Sequence, residues 1–260
     1  MRLRSSEKVQ PARVLTRRAN ERVAPVWLIG LIALLFAGNC NPTRQTENLP
    51  TKPMTTSETQ PAANDPLAIH RRAVVVDMHA DTTQRLVDED VDLQTRLSDG
   101  HLDAVRAKEG GLDAQFFSIW VEPDLFGGGG ANAVKRADVQ IQAVHDLTKR
   151  HPETWELATT AADVRRIATS GKIAVLMGLE GGYAIDEKLE NVERFYQMGV
   201  RYMSPAWSVS TTWAGSSGDE IGKTRGLNDF GKEVIREMNR LGMMVDVSHL
   251  SDKAFWDIVN

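Results

Sequence analysis

Three times in this chain a stretch with helical spacing runs into a single glycine and then almost at once into a short apolar run. Gly171 stands before residues 173–178, Gly199 before 200–204 and Gly242 before 243–247. A glycine just past a helix takes the left-handed conformation cheaply, so each helix can turn back tightly into a strand. The stretches between the runs keep three-to-four apolar spacing, as in Val134, Ala137, Ile141, Val144 and Leu147. Leu189, Val192, Phe195 and Met198 repeat the pattern, and so do Phe230, Val234, Met238 and Leu241. That period predicts amphipathic helices. Two more strand candidates lie at 73–78 and 114–121. Strand–helix alternation with such short returns predicts a parallel sheet with crossover helices.

The ends of these strands share a chemistry. The first, inside "VVVDMHAD", runs into His79 and Asp81. The strand at 173–178 runs into Glu180, the one at 200–204 reaches toward Trp207, and the one at 243–247 runs into His249. In a (β/α) barrel the C-terminal ends of the strands converge on one mouth, where residues distant in sequence become neighbours. The expected fold is therefore α/β, a (β/α)8 TIM-type barrel of which about the first five β/α units are present. The first strand is expected to be buried because it lines that barrel.

Two His, one Asp and one Glu at one mouth suit a metal such as zinc, which takes imidazole and carboxylate ligands. Side chains two apart on an extended strand point to the same face, so His79 and Asp81 could hold one ion. A carboxylate such as Glu180 can bridge two ions, and His249 would begin the shell of the second. Metal ions activate water near neutral pH and polarise carbonyls. Taken singly, each residue has a plainer reading, as a surface pair, a turn residue before Gly-Gly, or a hydrogen-bonded His after a strand. His101, His145 and His151 lack this setting and are expected to face solvent. Gly127–Gly130 lacks the Lys-Ser/Thr of a phosphate loop and reads as a flexible loop after the second strand.

The N-terminus is different in kind. Residues 1–40 hold seven Lys/Arg and two Asp/Glu, which leaves 24 basic against 33 acidic residues in the remainder. So acidic a body argues against a nucleic-acid partner. After the basic run comes an apolar run over 23–38, of signal-peptide length and short for a spanning helix. Cys40, the single cysteine, follows as Ala37-Gly38-Asn39-Cys40. This resembles a bacterial lipoprotein signal with Cys40 as the lipidation site; an uncleaved anchor helix is the alternative. Both expect the body outside the cytoplasm, anchored to the membrane of the cell envelope. Residues 41–66 hold five of the ten prolines and no apolar periodicity, and read as a tether. The expected divisions are 1–40 signal or anchor, 41–66 tether and 67–260 barrel.

Five segments together carry a closer likeness: "VVDMHADT", "GGLDAQFFSIWV", "LMGLEGG", "GVRYMSPAWSVSTTWAGSSGD" and "GLNDFGKEVIREMNRLGMMVDVSHLSDKAFWDI". From about residue 67 to the end the chain resembles the membrane dipeptidase (renal dipeptidase) family of zinc metallopeptidases, in its bacterial branch. The resemblance implies a (β/α)8 barrel with two zinc ions that cleaves dipeptides with a free carboxyl end, often with a D-residue there. It implies that His79 and Asp81 bind the first zinc, Glu180 bridges the pair and His249 binds the second. A metal-bridging hydroxide would attack the scissile carbonyl. Family members commonly carry His at the position of Trp207, so Trp207 reads either as a substrate contact or as a packing aromatic on the pocket wall. Tyr183 stands where "GGH" is frequent and reads as a pocket-lining phenol or a turn cap.

Five strands fall short of the eight that close such a barrel. The family's further His for the second zinc, Arg for the substrate carboxylate and Asp near the metals have no counterpart here. The chain is therefore expected to be an N-terminal fragment, with an exposed strand edge and core, poorly soluble and inactive alone. Two other readings stay open. One is a different barrel amidohydrolase, such as a deaminase or lactonase, although those commonly carry His-x-His where this chain has His-x-Asp. The other is a non-catalytic remnant or membrane-tethered binding protein. Pairing as a homodimer is also left open.

Overall fold

A computed structural model describes residues 65–125 and 129–260. Cys40, the basic and apolar run before it and almost all of the 41–66 stretch lie outside the described residues, as do Gly127 and Gly128.

The elements run α1 (Pro66–Arg72), β1 (Val76–Ala80), α2 (Thr83–Asp88), α3 (Ala104–Glu109), β2 (Ala114–Trp120), α4 (Gly130–Arg150), β3 (Trp155–Leu157) and α5 (Ala161–Thr169). They continue with β4 (Ile173–Glu180), α6 (Leu189–Gln197), β5 (Val200–Ser204), α7 (Asp229–Leu241), β6 (Met244–Val245) and α8 (Asp252–Val259). All strand pairs are parallel, and the order across the sheet is β1-β2-β4-β5-β6. This is the part-barrel expected from the alternation.

The short β3 pairs with β4 beside Ile173, Ala174 and Val175. The spacing did not predict it, because three residues are too few to display alternation. The glycine run also differs from expectation, since Gly130 already forms the first residue of α4.

The helices begin and end where local chemistry dictates. Asn228 caps α7 by accepting the Gly231 N–H, and Gly242 ends it at φ 76° in the left-handed region, where a side chain would cost energy. Thr160 and Asp163 form a reciprocal capping box at the start of α5. Such a cap contributes about 1 kcal/mol.

The outer face of the sheet packs against helices. Ala137, Ile141, Val144 and Leu147 of α4 join Phe117, Ile119, Val175, Met177, Val200 and Met203 in one fully buried core. Burying each large aliphatic there contributes roughly 1.5–3 kcal/mol. The inner face carries Phe116, Leu176 and Tyr202, with Ile167 of α5 packed against them.

β1 is not the buried strand its valines lead one to expect. It pairs on one side, with β2, and Val74, Val76 and Met78 are exposed, as is Met244 on β6. The inner face of this edge strand borders an open cavity of about 600 Å³ shared with Phe116, Val164 and Met244, so its valines stay exposed whatever their composition.

Candidate metal centre

Two irregularities in the sheet build the site. β1 pairs Val76 with Ala114 and Asp77 with Gln115, but resumes with Ala80 opposite Phe117. The strand thus holds one residue too many. Because side chains alternate with a period of two, a one-residue shift moves every later side chain to the other face. Ala80 falls on the outer face with Phe117, and His79 and Asp81 turn inward beside Phe116 and Ser118.

β5 does the same. Met177 pairs with Val200, but Gly178 pairs with Tyr202. Val200 and Met203, three apart, therefore both join the outer core, while Tyr202 and Ser204 face inward next to Gly178 and Glu180.

Four of the expected residues meet at this mouth. His79 Nε2 lies 3.5 Å from Asp81 Oδ1 and 3.2 Å from Glu180 Oε2. Ligand atoms of His79, Asp81 and Glu180 all lie within 4.8 Å of one another, a group that could hold a metal ion. The other carboxylate oxygen of Glu180, Oε1, lies 3.1 Å from His249 Nε2. Glu180 is 5% exposed, and Ser118 donates to its Oε2 at 3.1 Å. A cavity of about 510 Å³ opens here, lined among others by His79, Glu180, Tyr202, Asp246 and His249.

The charges respond to this crowding. Hydrogen bonds that His79 donates to Asp81 and then to Glu180 raise its imidazole from 6.5 to about 10, against the pull of burial. The same bond to His79 holds the Asp81 carboxyl below its ordinary range.

His249 reaches the mouth from a turn after β6 with φ 67°, a region a non-glycine residue rarely adopts and holds only when its surroundings enforce it. Here Ser217 enforces it, since its backbone N–H donates to the His249 carbonyl at 2.7 Å and its hydroxyl at 3.1 Å. The Ser216 hydroxyl bonds the Trp207 carbonyl, tying that residue to the same corner.

Trp207 stands edge-on to Trp120, with centroids 5.0 Å apart, and its ring is 6.4 Å from that of His249. It thus stands beside the second imidazole. Gln84 and Gln140 both donate to the Trp120 carbonyl, at 2.8 and 2.6 Å, and fix the end of β2 beneath it.

Tyr183 is placed differently. It is buried in a single 3-10 turn, Gly182–Ile185, and lines a separate cavity of about 350 Å³ with Gly182, Thr211 and Trp213. Burial, and next the charge of Glu180, push its phenol up.

Of the three histidines expected to face solvent, His101 does. The other two are half-buried and partnered. His145 Nε2 meets the Met198 carbonyl at 2.9 Å, and His151 Nε2 meets Asp92 at 3.0 Å. Each lies on the helix-packed side of the sheet or its margin, where a ring nitrogen left without a partner would be costly.

Sequence reasoning missed Ser118 and Tyr202. Ser118 carried a signal: it is a polar residue on the inward beat of a strand that is otherwise mostly apolar. Tyr202 carried none, since the β5 irregularity decides which way it points.

The sequence model of the family described as membrane dipeptidase, peptidase family M19, matches residues 64–260. Human dipeptidase 3 is 36% identical over 195 residues, which is 71% of this chain and 38% of that protein. Dipeptidase tcpJ of Claviceps purpurea is 34% identical over 166 residues, or 62% of this chain and 39% of that protein. A crystal structure of a metallopeptidase from Rhodobacter sphaeroides, bound to a phosphinate mimic of L-Ala-D-Ala, matches with a TM-score of 0.64 at 26% identity, over 71% of this chain and 61% of that one. The chain thus spans about two-fifths of the length of these curated relatives. The likeness carried by five separate motifs and the part-barrel that joins them have one common explanation: the chain belongs to the membrane dipeptidase family, peptidase family M19.

Proposed function

We propose that the whole protein hydrolyses dipeptides at a pair of zinc ions, with His79, Asp81 and Glu180 around the first ion and Glu180 and His249 at the second. One observation carries this reading. The two oxygens of the buried Glu180 carboxylate face two different imidazoles, His79 at 3.2 Å and His249 at 3.1 Å. A carboxylate so placed fits a bridge between ions, and an imidazole with two carboxylates is a donor set zinc accepts. When bound, such ions supply an activated water and polarise the scissile carbonyl.

The chain's own residues do the rest. Ser118 holds one Glu180 oxygen from beneath and so fixes the carboxylate plane. Trp120 and Trp207 pack edge to face beside His249. The Trp207 indole can donate a hydrogen bond but not a proton, so its part is to position substrate. That the Rhodobacter relative binds a mimic of L-Ala-D-Ala makes a dipeptide with a C-terminal D-residue the first substrate to try. The basic and apolar N-terminus with Cys40 supports a lipid-anchored protein of the cell envelope. Among the described residues no helix is long and apolar enough to cross a membrane.

A second reading, a non-catalytic tethered binding protein, is favoured by Trp207, an aromatic that cannot give up a proton, standing beside His249. The test separates them. The zinc-loaded protein should cleave L-Ala-D-Ala, lose activity to a chelator and regain it with zinc. Zinc uptake without cleavage favours the second reading, and no uptake removes the first.

A further inference from the structure

The two sheet irregularities do more than bring ligands together: they aim two side chains at each other. His79 reaches the inner face through the shift in β1, and Tyr202 through the shift in β5. Their meeting is a hydrogen bond of 2.8 Å between His79 Nδ1 and the Tyr202 hydroxyl.

We propose that Tyr202 is a positioning residue for the metal centre: its phenol oxygen accepts the proton on His79 Nδ1 and so leaves the Nε2 lone pair for the metal. This rests on the metal reading above. A neutral imidazole carries one proton, and the nitrogen that bears it cannot coordinate. Which nitrogen bears it is set by the hydrogen bond the other makes. Nε2 is the nitrogen that faces Asp81 and Glu180, so an ion among those carboxylates meets Nε2. The proton then sits on Nδ1, where Tyr202 is its partner.

The acceptor is held in place before any ion arrives. Tyr202 is 4% exposed, and Phe116 packs on it with centroids 5.3 Å apart. Gly178 leaves the space its ring fills, since a Cβ there would lie 1.9 Å from Tyr202 Cζ. A rigid acceptor fixes the ring orientation of its ligand better than a mobile one. A phenol also suits this place better than a carboxylate, because it orients the imidazole without adding a third negative charge beside Asp81 and Glu180.

The test uses the full chain and Tyr202→Phe, which keeps the ring and removes only the oxygen. Zinc affinity is measured by competition with a fluorescent chelator. Long-range proton–nitrogen spectra of the zinc-loaded protein, labelled with nitrogen-15, report which His79 nitrogen holds the metal. The wild type should take zinc on Nε2 with the proton on Nδ1. Tyr202→Phe should weaken zinc binding by roughly 10–100-fold, the usual cost of losing an outer partner of a ligand, and its His79 signals should lose the single Nε2-bound pattern.

Affinity within about twofold of wild type, with unchanged His79 signals, would overturn the proposal. Zinc on Nδ1 in the wild type would overturn it too, and that result needs no variant to fold. If the wild type takes no zinc at all, the metal reading itself fails and Tyr202 loses its role with it. Uptake that is indifferent to Tyr202 removes only the positioning role.

Discussion

Gly178 of β4 and Tyr202 of β5 share one space on the inner face of the sheet. They are register partners across a shifted pairing, and the phenol ring occupies the volume where a Gly178 side chain would stand, 1.9 Å from its nearest atom. The glycine is there for room, not for backbone freedom. Gly178→Ala should therefore destabilise the chain by overpacking, by about 1–3 kcal/mol or more. Adding Tyr202→Ala should recover part of that loss, because the two residues are in contact and their effects do not add. Urea unfolding of the two single variants and the double variant measures both.

Glu180→Gln keeps the shape of the side chain but removes the charge that faces His79 and His249. Zinc affinity should fall by at least about 100-fold, beyond what the loss of an outer partner costs. Circular dichroism should still report a folded chain. Full zinc affinity in this variant would take Glu180 out of the metal centre.

The outer core should respond as a close-packed interior. Leu147 on α4 is fully buried and Val139 on the same helix is half exposed. Leu147→Ala should cost about 2–5 kcal/mol, and Val139→Ala should stay within about 0.5 kcal/mol. Equal effects in urea unfolding would mean that this face of α4 does not pack as described.

The capping box of α5 supplies a pH signature. The Thr160 hydroxyl, then the Thr159 backbone N–H, holds the Asp163 carboxyl down from 3.8 to about 2. A carboxyl lower in the folded chain than in the unfolded one stabilises the fold above 3.8, and that contribution disappears as pH falls through 2. Wild-type melting temperature should thus drop more steeply than that of Asp163→Asn between these values. Parallel curves would contradict the capping geometry.

Much of this was legible in the sequence, and the limits of legibility are physical. Helical periodicity placed α4, α6 and α7, because a buried stripe must repeat every three to four residues. The strand ends gave His79, Asp81, Glu180 and His249, because a parallel barrel gathers its strand ends. What the sequence could not display is pairing. The extra residues in β1 and β5 are properties of register between strands, so neither the inward turn of His79 nor its bond to Tyr202 could be read from either segment alone. The exposure of β1 escaped for the same reason: three valines look buried until one knows that, among the described residues, β1 pairs on one side only. β3 was too short to announce itself, and His145 and His151 found partners from other elements.

The central claim is that one buried carboxylate joins two metal sites at the mouth of this sheet. The measurement that tests it most directly is an anomalous difference map from crystals of the zinc-loaded protein, recorded at the zinc edge. The account predicts a peak about 2.0–2.2 Å from His79 Nε2, Asp81 and one Glu180 oxygen, and a second peak between the other Glu180 oxygen and His249. Zinc bound elsewhere, or a Glu180 carboxylate touching no peak in crystals that hold zinc, would contradict it.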